Sequence, residues 1–216
     1  MLKKLNILAE SMSRYCVGME GNVSGKEDGK ITIKASGSKL SSMSTNDWVT
    51  LDSEGNQLST NDKRPSMELS FHTYLLSFEN VNFISHTHPI NCLKILCSNN
   101  SSSFAKYRLF PDQIIFNGVK SCLIPYVKPG DNLTQEIKVC VESFIEIEGY
   151  FPKLILLENH GIIACGKTID DCIITTEICE KSAEIFNGAK NLRTLSEYDI
   201  KDLVNDDKEK YRKNLL

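Results

Sequence analysis

The chain holds four histidines in 216 residues. Two of them, His86 and His88, sit two apart in FISHTHPI at 83–90. The residues before them are apolar, so the stretch reads as a strand. Residues i and i+2 of a strand project to one face. Two imidazoles therefore aim at one region from positions roughly 6 to 7 Å apart, a good pair of ligands for one metal ion. A third ligand is available in His160, at the centre of LLENHGIIACG, between two apolar runs. There Gly161 is expected to let the backbone reverse tightly. Three histidines with an open fourth position are a common catalytic zinc arrangement. A strand histidine is also a familiar core residue. It is the third histidine, at a glycine-marked turn, that favours the metal. The fourth, His72 in ELSFHTYLL, reads as a packing or surface position within a helix.

A carboxylate is the next requirement for such chemistry. Glu68 stands just after Pro65-Ser66, where a helix is expected to open. Free N–H groups at a helix start favour anions, and an acid there beside a metal could give and take protons. Acids in first turns are also commonplace. Two stretches rich in small residues, GNVSGK (21–26) and ASGSKL (35–40), offer backbone N–H groups, hydroxyls and the lysines Lys26 and Lys39. They could cradle a phosphate dianion or be plain turns.

Residues 161–168 match GxxxxGK[ST] letter for letter, after an apolar strand and before a helix. A phosphate loop needs consecutive N–H groups turned inward. Ile162 and Ile163 are β-branched and head an apolar run, which favours extended backbone. The stretch is read as the second strand of a hairpin.

These residues need a scaffold, and the chain is long enough for one domain over 1–216. Hydrophobic residues make up 41% and charged residues 25%, and the formal net charge is −3. No basic stripe marks a nucleic-acid partner, and no apolar run approaches the ~18 to 20 residues of a membrane span. The N-terminal stretch lacks a continuous apolar core of the signal-peptide type, which points to the cytoplasm. The eight cysteines include no CxxC pair and fall mostly in apolar runs, so free buried thiols are expected.

Periodicity gives helices at 2–15, from 65–66 to about 78, after Pro89 to about 97, from 134 to about 148, and from 168 to about 187. A charged helical tail follows from Ser196. Strands are expected at 31–36, 47–51, 81–88, 121–127, 153–158 and 162–165, with 98–103 a polar loop. Hairpins and helices both join the strands, which predicts an α/β domain with a mixed or mainly antiparallel sheet.

Taken together, GNVSGK, IKASGSKL, RPSMELSFH, SHTHP, IPYVKPGD and LLENHGIIACGKT occur in an order that resembles the class II aldolase/adducin family over about residues 20–170. The resemblance implies a three-layer α/β/α fold with a central, largely antiparallel mixed sheet. It implies Zn2+ on His86, His88 and His160, and Glu68 as the catalytic acid/base. It further implies a sugar phosphate whose phosphate meets Asn22, Ser36, Gly37 and Ser66. Tyr126 would assist proton transfer from a neighbouring subunit of a homotetramer. The implied reaction is cleavage of a ketose 1-phosphate to dihydroxyacetone phosphate and an aldehyde through a metal-stabilised enediolate. The same site would also suit a dehydratase of the methylthioribulose-1-phosphate type, a decarboxylase or a pentulose-phosphate 4-epimerase. An adducin-like binding module is the non-enzymatic alternative, although such proteins lose the metal histidines. One departure stands out: Met67 occupies a place where fuculose-type aldolases often carry a second serine.

Overall fold

The computed structural model describes residues 1–208. Its centre is a seven-stranded sheet in the order β3-β2-β1-β4-β7-β6-β5. The strands are β1 (Asn22–Glu27), β2 (Lys30–Lys34), β3 (Trp48–Leu51), β4 (Phe83–Thr87), β5 (Cys122–Ile124), β6 (Leu154–Leu157) and β7 (Gly161–Gly166). Every neighbouring pair is antiparallel except β5–β6. The sheet is therefore mixed and largely antiparallel.

Helices cover both faces. On one side α2 (Leu69–Leu76) and α6 (Asp131–Glu148) bury Phe71, Leu75, Ile137 and Val141 against Ile84, Ile155 and Ile163 of the sheet. On the other side α1 (Leu2–Ser13) and α7 (Ile169–Gly188) pack on Val23, Phe83 and Ala164. Helices α3 (Ile90–Leu96) and α4 (Ser101–Lys106) extend that layer over Leu154, Leu156 and Ile162. Each fully buried Leu, Ile or Phe here contributes roughly 1.5–3 kcal/mol, so the two faces together hold the layers shut. Short α5 (Pro111–Asn117) and α8 (Glu197–Asn205) complete the described fold.

Some expectations change. Within GNVSGK, residues 22–26 are neither a loop nor a turn. They belong to β1, paired on both sides, with Asn22 opposite His86 and Ser24 opposite Ile33. The polar run at 98–103 turns helical from Ser101. The helix expected from Pro65 begins only at Leu69, because Ala35 and Pro65 form an antiparallel bridge that keeps the chain extended. Residues 161–166 form β7, a hairpin partner of β6, as the β-branched pair requires. The segment after it has the capping box expected of Thr168 and Asp171. No helix among the described residues is long and apolar enough to cross a membrane.

Candidate metal centre

His86 lies at the buried end of β4, and His88 follows two residues later. The His86 Nδ1 donates to the Ile162 carbonyl over 2.9 Å on neighbouring β7, which turns its Nε2 lone pair toward His88. The two Nε2 atoms stand 3.1 Å apart. The His88 Nδ1 is 3.5 Å from a carboxylate oxygen of Glu20, and its backbone N–H donates to the Tyr15 carbonyl over 3.1 Å. His160 enters from the β6–β7 hairpin, its ring centroid 4.8 Å from that of His86 and 5.2 Å from that of His88.

The hairpin does not work quite as its glycine suggests. The positive φ, 53°, falls on Asn159, a residue type that tolerates the left-handed region. Gly161 serves another purpose. A Cβ there would lie 2.5 Å from the Thr87 carbonyl oxygen and 2.6 Å from the His88 ring. Its bare Cα is what lets His160 and His88 approach each other.

The three histidines present ligand nitrogens that all lie within 4.8 Å of one another. Burial pushes each of them down to about 4, helped for His88 and His160 by the nearby His86. At neutral pH the cluster is thus a set of uncharged imidazoles, the form that ligates metals. The His160 Nδ1 is buried with no hydrogen-bond partner. Three neutral imidazoles with nitrogens this close fit a cation held between them, and these residues could hold a metal ion.

Glu68 joins this cluster to the rest of the site. It precedes α2 as the N-cap residue, yet its side chain does not cap the helix. One carboxylate oxygen stands 3.4 Å from the His86 Nε2 and the other 3.5 Å from the His160 Nε2. The Asn22 Nδ2 donates to it over 2.7 Å and to the Ser66 hydroxyl over 3.2 Å. Ser36 is brought near Ser66 by backbone pairing, because its N–H donates to the Arg64 carbonyl and the Ser66 N–H donates to the Lys34 carbonyl. Gly37, at φ 80°, then turns the chain.

Asn22, Ser36, Gly37, Ser66, Glu68 and the three histidines all line one cavity of about 340 Å³. Tyr126 does not join them. It is 59% exposed beyond β5. Met67 lines the cavity and is 84% exposed at its rim, where it can accept no phosphate through a hydroxyl. Met19, Glu20, Lys34, Pro129 and Gly130 also line the cavity, and sequence reasoning gave none of them a role. Met19 and Glu20 precede a strand that read as a loop. Lys34 is buried, its ammonium donating to the Met19 and Ser38 carbonyls, and burial lowers its pKa. A lysine inside the alternating strand KITIK gave the one available signal, since its face was legible and its burial was not.

Comparison with known proteins shows what the chain is similar to. The L-fuculose phosphate aldolase of Methanococcus maripaludis strain C5 is 31% identical over 181 residues, 83% of this chain and 90% of that protein. The 3-oxo-tetronate 4-phosphate decarboxylase of Haemophilus influenzae is 29% identical over 197 residues, 88% and 89% of the two chains. Among solved structures, an L-fuculose 1-phosphate aldolase superposes with a TM-score of 0.77 at 18% identity, covering 97% of this chain and 95% of that one. YgbL from Escherichia coli superposes at 0.76 with 23% identity, over 93% and 96%. These two likenesses establish the shared fold. Residues 7–186 match the Class II Aldolase and Adducin N-terminal domain, and with them the chain belongs to that family.

Proposed function

We propose that this chain, as one domain, is a zinc-dependent class II aldolase that cleaves a ketose 1-phosphate to dihydroxyacetone phosphate and an aldehyde. The observation that carries the reading is Glu68. Its carboxylate touches the histidine cluster on one side and the Asn22–Ser66 end of the same cavity on the other. An acid so placed reaches the carbon next to a carbonyl drawn toward the histidines, while a phosphate occupies the far end.

His86, His88 and His160 would hold the ion, and three neutral imidazoles suit zinc. When bound, it supplies Lewis acidity toward the substrate's carbonyl and neighbouring hydroxyl oxygens. Ser36, Ser66 and the Gly37 turn offer hydroxyl and N–H groups to the phosphate, with the Lys34 ammonium behind them and Asn22 at the junction with Glu68. Fixing the phosphate there orients the reacting carbons. As the C–C bond breaks, its electron pair stays on the carbon next to the carbonyl. Glu68 delivers the proton to that carbon. The hydroxyl that becomes the aldehyde must lose its proton, and Tyr126 of a neighbouring chain would take part in that transfer. A homotetramer would bring Tyr126 to the rim. A cytoplasmic location fits a phosphorylated substrate.

A decarboxylase is the second reading. It is favoured by the likeness to 3-oxo-tetronate 4-phosphate decarboxylase over most of both chains. Loss of CO2 from a β-keto acid also leaves an electron pair beside a carbonyl, so the same groups would serve. The two readings separate in one experiment. The zinc-supplemented chain is incubated with a panel of ketose 1-phosphates and, separately, with 3-oxo-tetronate 4-phosphate. Dihydroxyacetone phosphate release from a ketose 1-phosphate supports the aldolase. CO2 release from the keto acid, with every ketose 1-phosphate left intact, overturns it in favour of the decarboxylase.

A further inference from the structure

Asn22, Ser24 and Lys26 alternate along one face of β1, and helix α2 lies over that face. The Lys26 ammonium donates to the Leu76 and Phe78 carbonyls at the far end of the helix. Between these contacts sits His72, with no exposure at all. Its ring stacks on Phe71 at a centroid distance of 4.6 Å, and the edge of Phe71 in turn meets His86. The Nδ1 of His72 is 2.7 Å from the Ser24 hydroxyl, and its Nε2 is in short contact with the Asn22 Oδ1.

The protons in this chain can be assigned from the acceptors. An amide oxygen only accepts, so Nε2 of His72 carries the hydrogen. Nδ1 is then the acceptor, and the Ser24 hydroxyl donates to it. Burial pushes the ring's pKa well below its ordinary value, which keeps it neutral. With Oδ1 of Asn22 committed to His72, Nδ2 must face the other way, and there it donates to Glu68 and Ser66.

We propose that His72 is the positioning residue of Glu68, acting through Asn22. This rests on the reading of Glu68 as the group that moves the proton. Held as the Nε2–H tautomer, the imidazole fixes the Asn22 amide in the one orientation that offers a donor to the carboxylate. Without that hydrogen, Oδ1 is a buried acceptor with no partner, and nothing prevents the amide from rotating. The rotated amide would set its oxygen against a carboxylate oxygen, and Glu68 would lose its anchor. His72 lies behind Asn22 and is absent from the cavity lining, and its direct hydrogen bond toward the site is the one to the Asn22 amide.

Two substitutions separate the two ring nitrogens. A glutamine reaches the Nε2 position and can donate to Asn22. An asparagine reaches only the Nδ1 position, where it satisfies Ser24 and leaves Asn22 alone. We would compare the zinc-loaded full chain with His72→Gln and His72→Asn in metal content, turnover and the 15N resonances of the Asn22 side-chain amide. The expected result is a kcat lower on the order of 10²-fold in His72→Asn, with KM and zinc content little changed. His72→Gln should stay near the parent chain. The Asn22 amide protons should exchange slowly with solvent in the parent and in His72→Gln, and faster in His72→Asn. Equal turnover and equal amide spectra in both variants would overturn the proposal. If Glu68→Gln leaves turnover untouched, the role of Glu68 fails instead, and the amide resonances still report the clamp. Should His72→Asn not fold, Ser24→Ala frees the same ring from its other end. Wild-type turnover in that variant while the Asn22 amide is no longer held would equally overturn the proposal.

Discussion

The Nε2 atoms of His86 and His88 face each other across 3.1 Å. The strand alternation that aims both rings the same way is fixed by β4 pairing with β1 and β7 on either side. The Ile162 carbonyl then selects which nitrogen of His86 looks inward. Two uncharged nitrogens of the same polarity at that spacing need a proton or a cation between them.

The first expectation is therefore metal content. Elemental mass spectrometry on the purified chain should find close to one zinc per chain, and His88→Ala should lose it. Removing the ion with a chelator should lower the melting temperature, because a ligand that binds only the folded state stabilises it. A chain without metal that binds none on titration would sink the reading of the cluster.

Glu68→Gln keeps the shape of the side chain and removes its ability to cycle a proton. Turnover should fall by roughly 10²–10⁴-fold, the usual contribution of a positioned acid or base. Zinc content should not change, since the three imidazoles remain. Unaltered turnover would remove Glu68 from the chemistry.

Tyr126 lies outside the cavity of its own chain. If a neighbouring chain supplies it, two inactive variants should repair each other. Glu68→Gln and Tyr126→Phe chains, unfolded and refolded as a mixture, should recover part of the activity that neither has alone. No recovery in mixed oligomers would mean that Tyr126 has no role across a subunit boundary.

His72 should leave a mark on stability against pH. Its pKa in the folded chain is depressed by burial below the ordinary 6.5. Between those two values the unfolded chain binds the extra proton, so this contribution is present above pH 6.5 and is lost as pH falls. Going from pH 7 to 5.5, the metal-free parent should lose more stability than His72→Gln, measured by urea unfolding. Equal losses would show that the ring is not held neutral.

Gly161→Ala tests the close approach at the hairpin. The new methyl would meet the Thr87 carbonyl and the His88 ring at 2.5 and 2.6 Å. Overpacking of this kind costs typically 1–3 kcal/mol. Here part of that cost should appear as weaker zinc binding, because His88 is the softer obstacle. Zinc affinity matching that of the parent chain would show that the ring moves without consequence.

The sequence made the metal cluster legible because its signals are local. HxH on an apolar strand fixes two ring directions, and NHG between two apolar runs fixes a hairpin. The layers were legible for the same reason, through helical and alternating periodicity. The remainder depended on partners far along the chain. Nothing in GNVSGK says that it lies between β2 and β4, so its small residues read as a loop when they are a strand. His72 read as packing or surface because its meaning comes from Ser24 and Asn22, about fifty positions earlier. Helix α5 was missed in LFPDQIIFNG because its seven residues are too few for periodicity to speak. Glu20 lies outside every quoted motif, and Lys34, although inside IKASGSKL, shows its burial only once the sheet is assembled.

The ladder of Asn22, Ser24 and Lys26 bears on how this chain could be redesigned. These positions hold a helix from its first turn to its last, so each tolerates change only together with its partner across the gap. A mutant library aimed at new substrates would do best to spare them, and His72 with them. Diversity belongs instead at Met19 and Met67, whose exposed side chains border the same cavity. Selection there could alter what enters without disturbing what reacts.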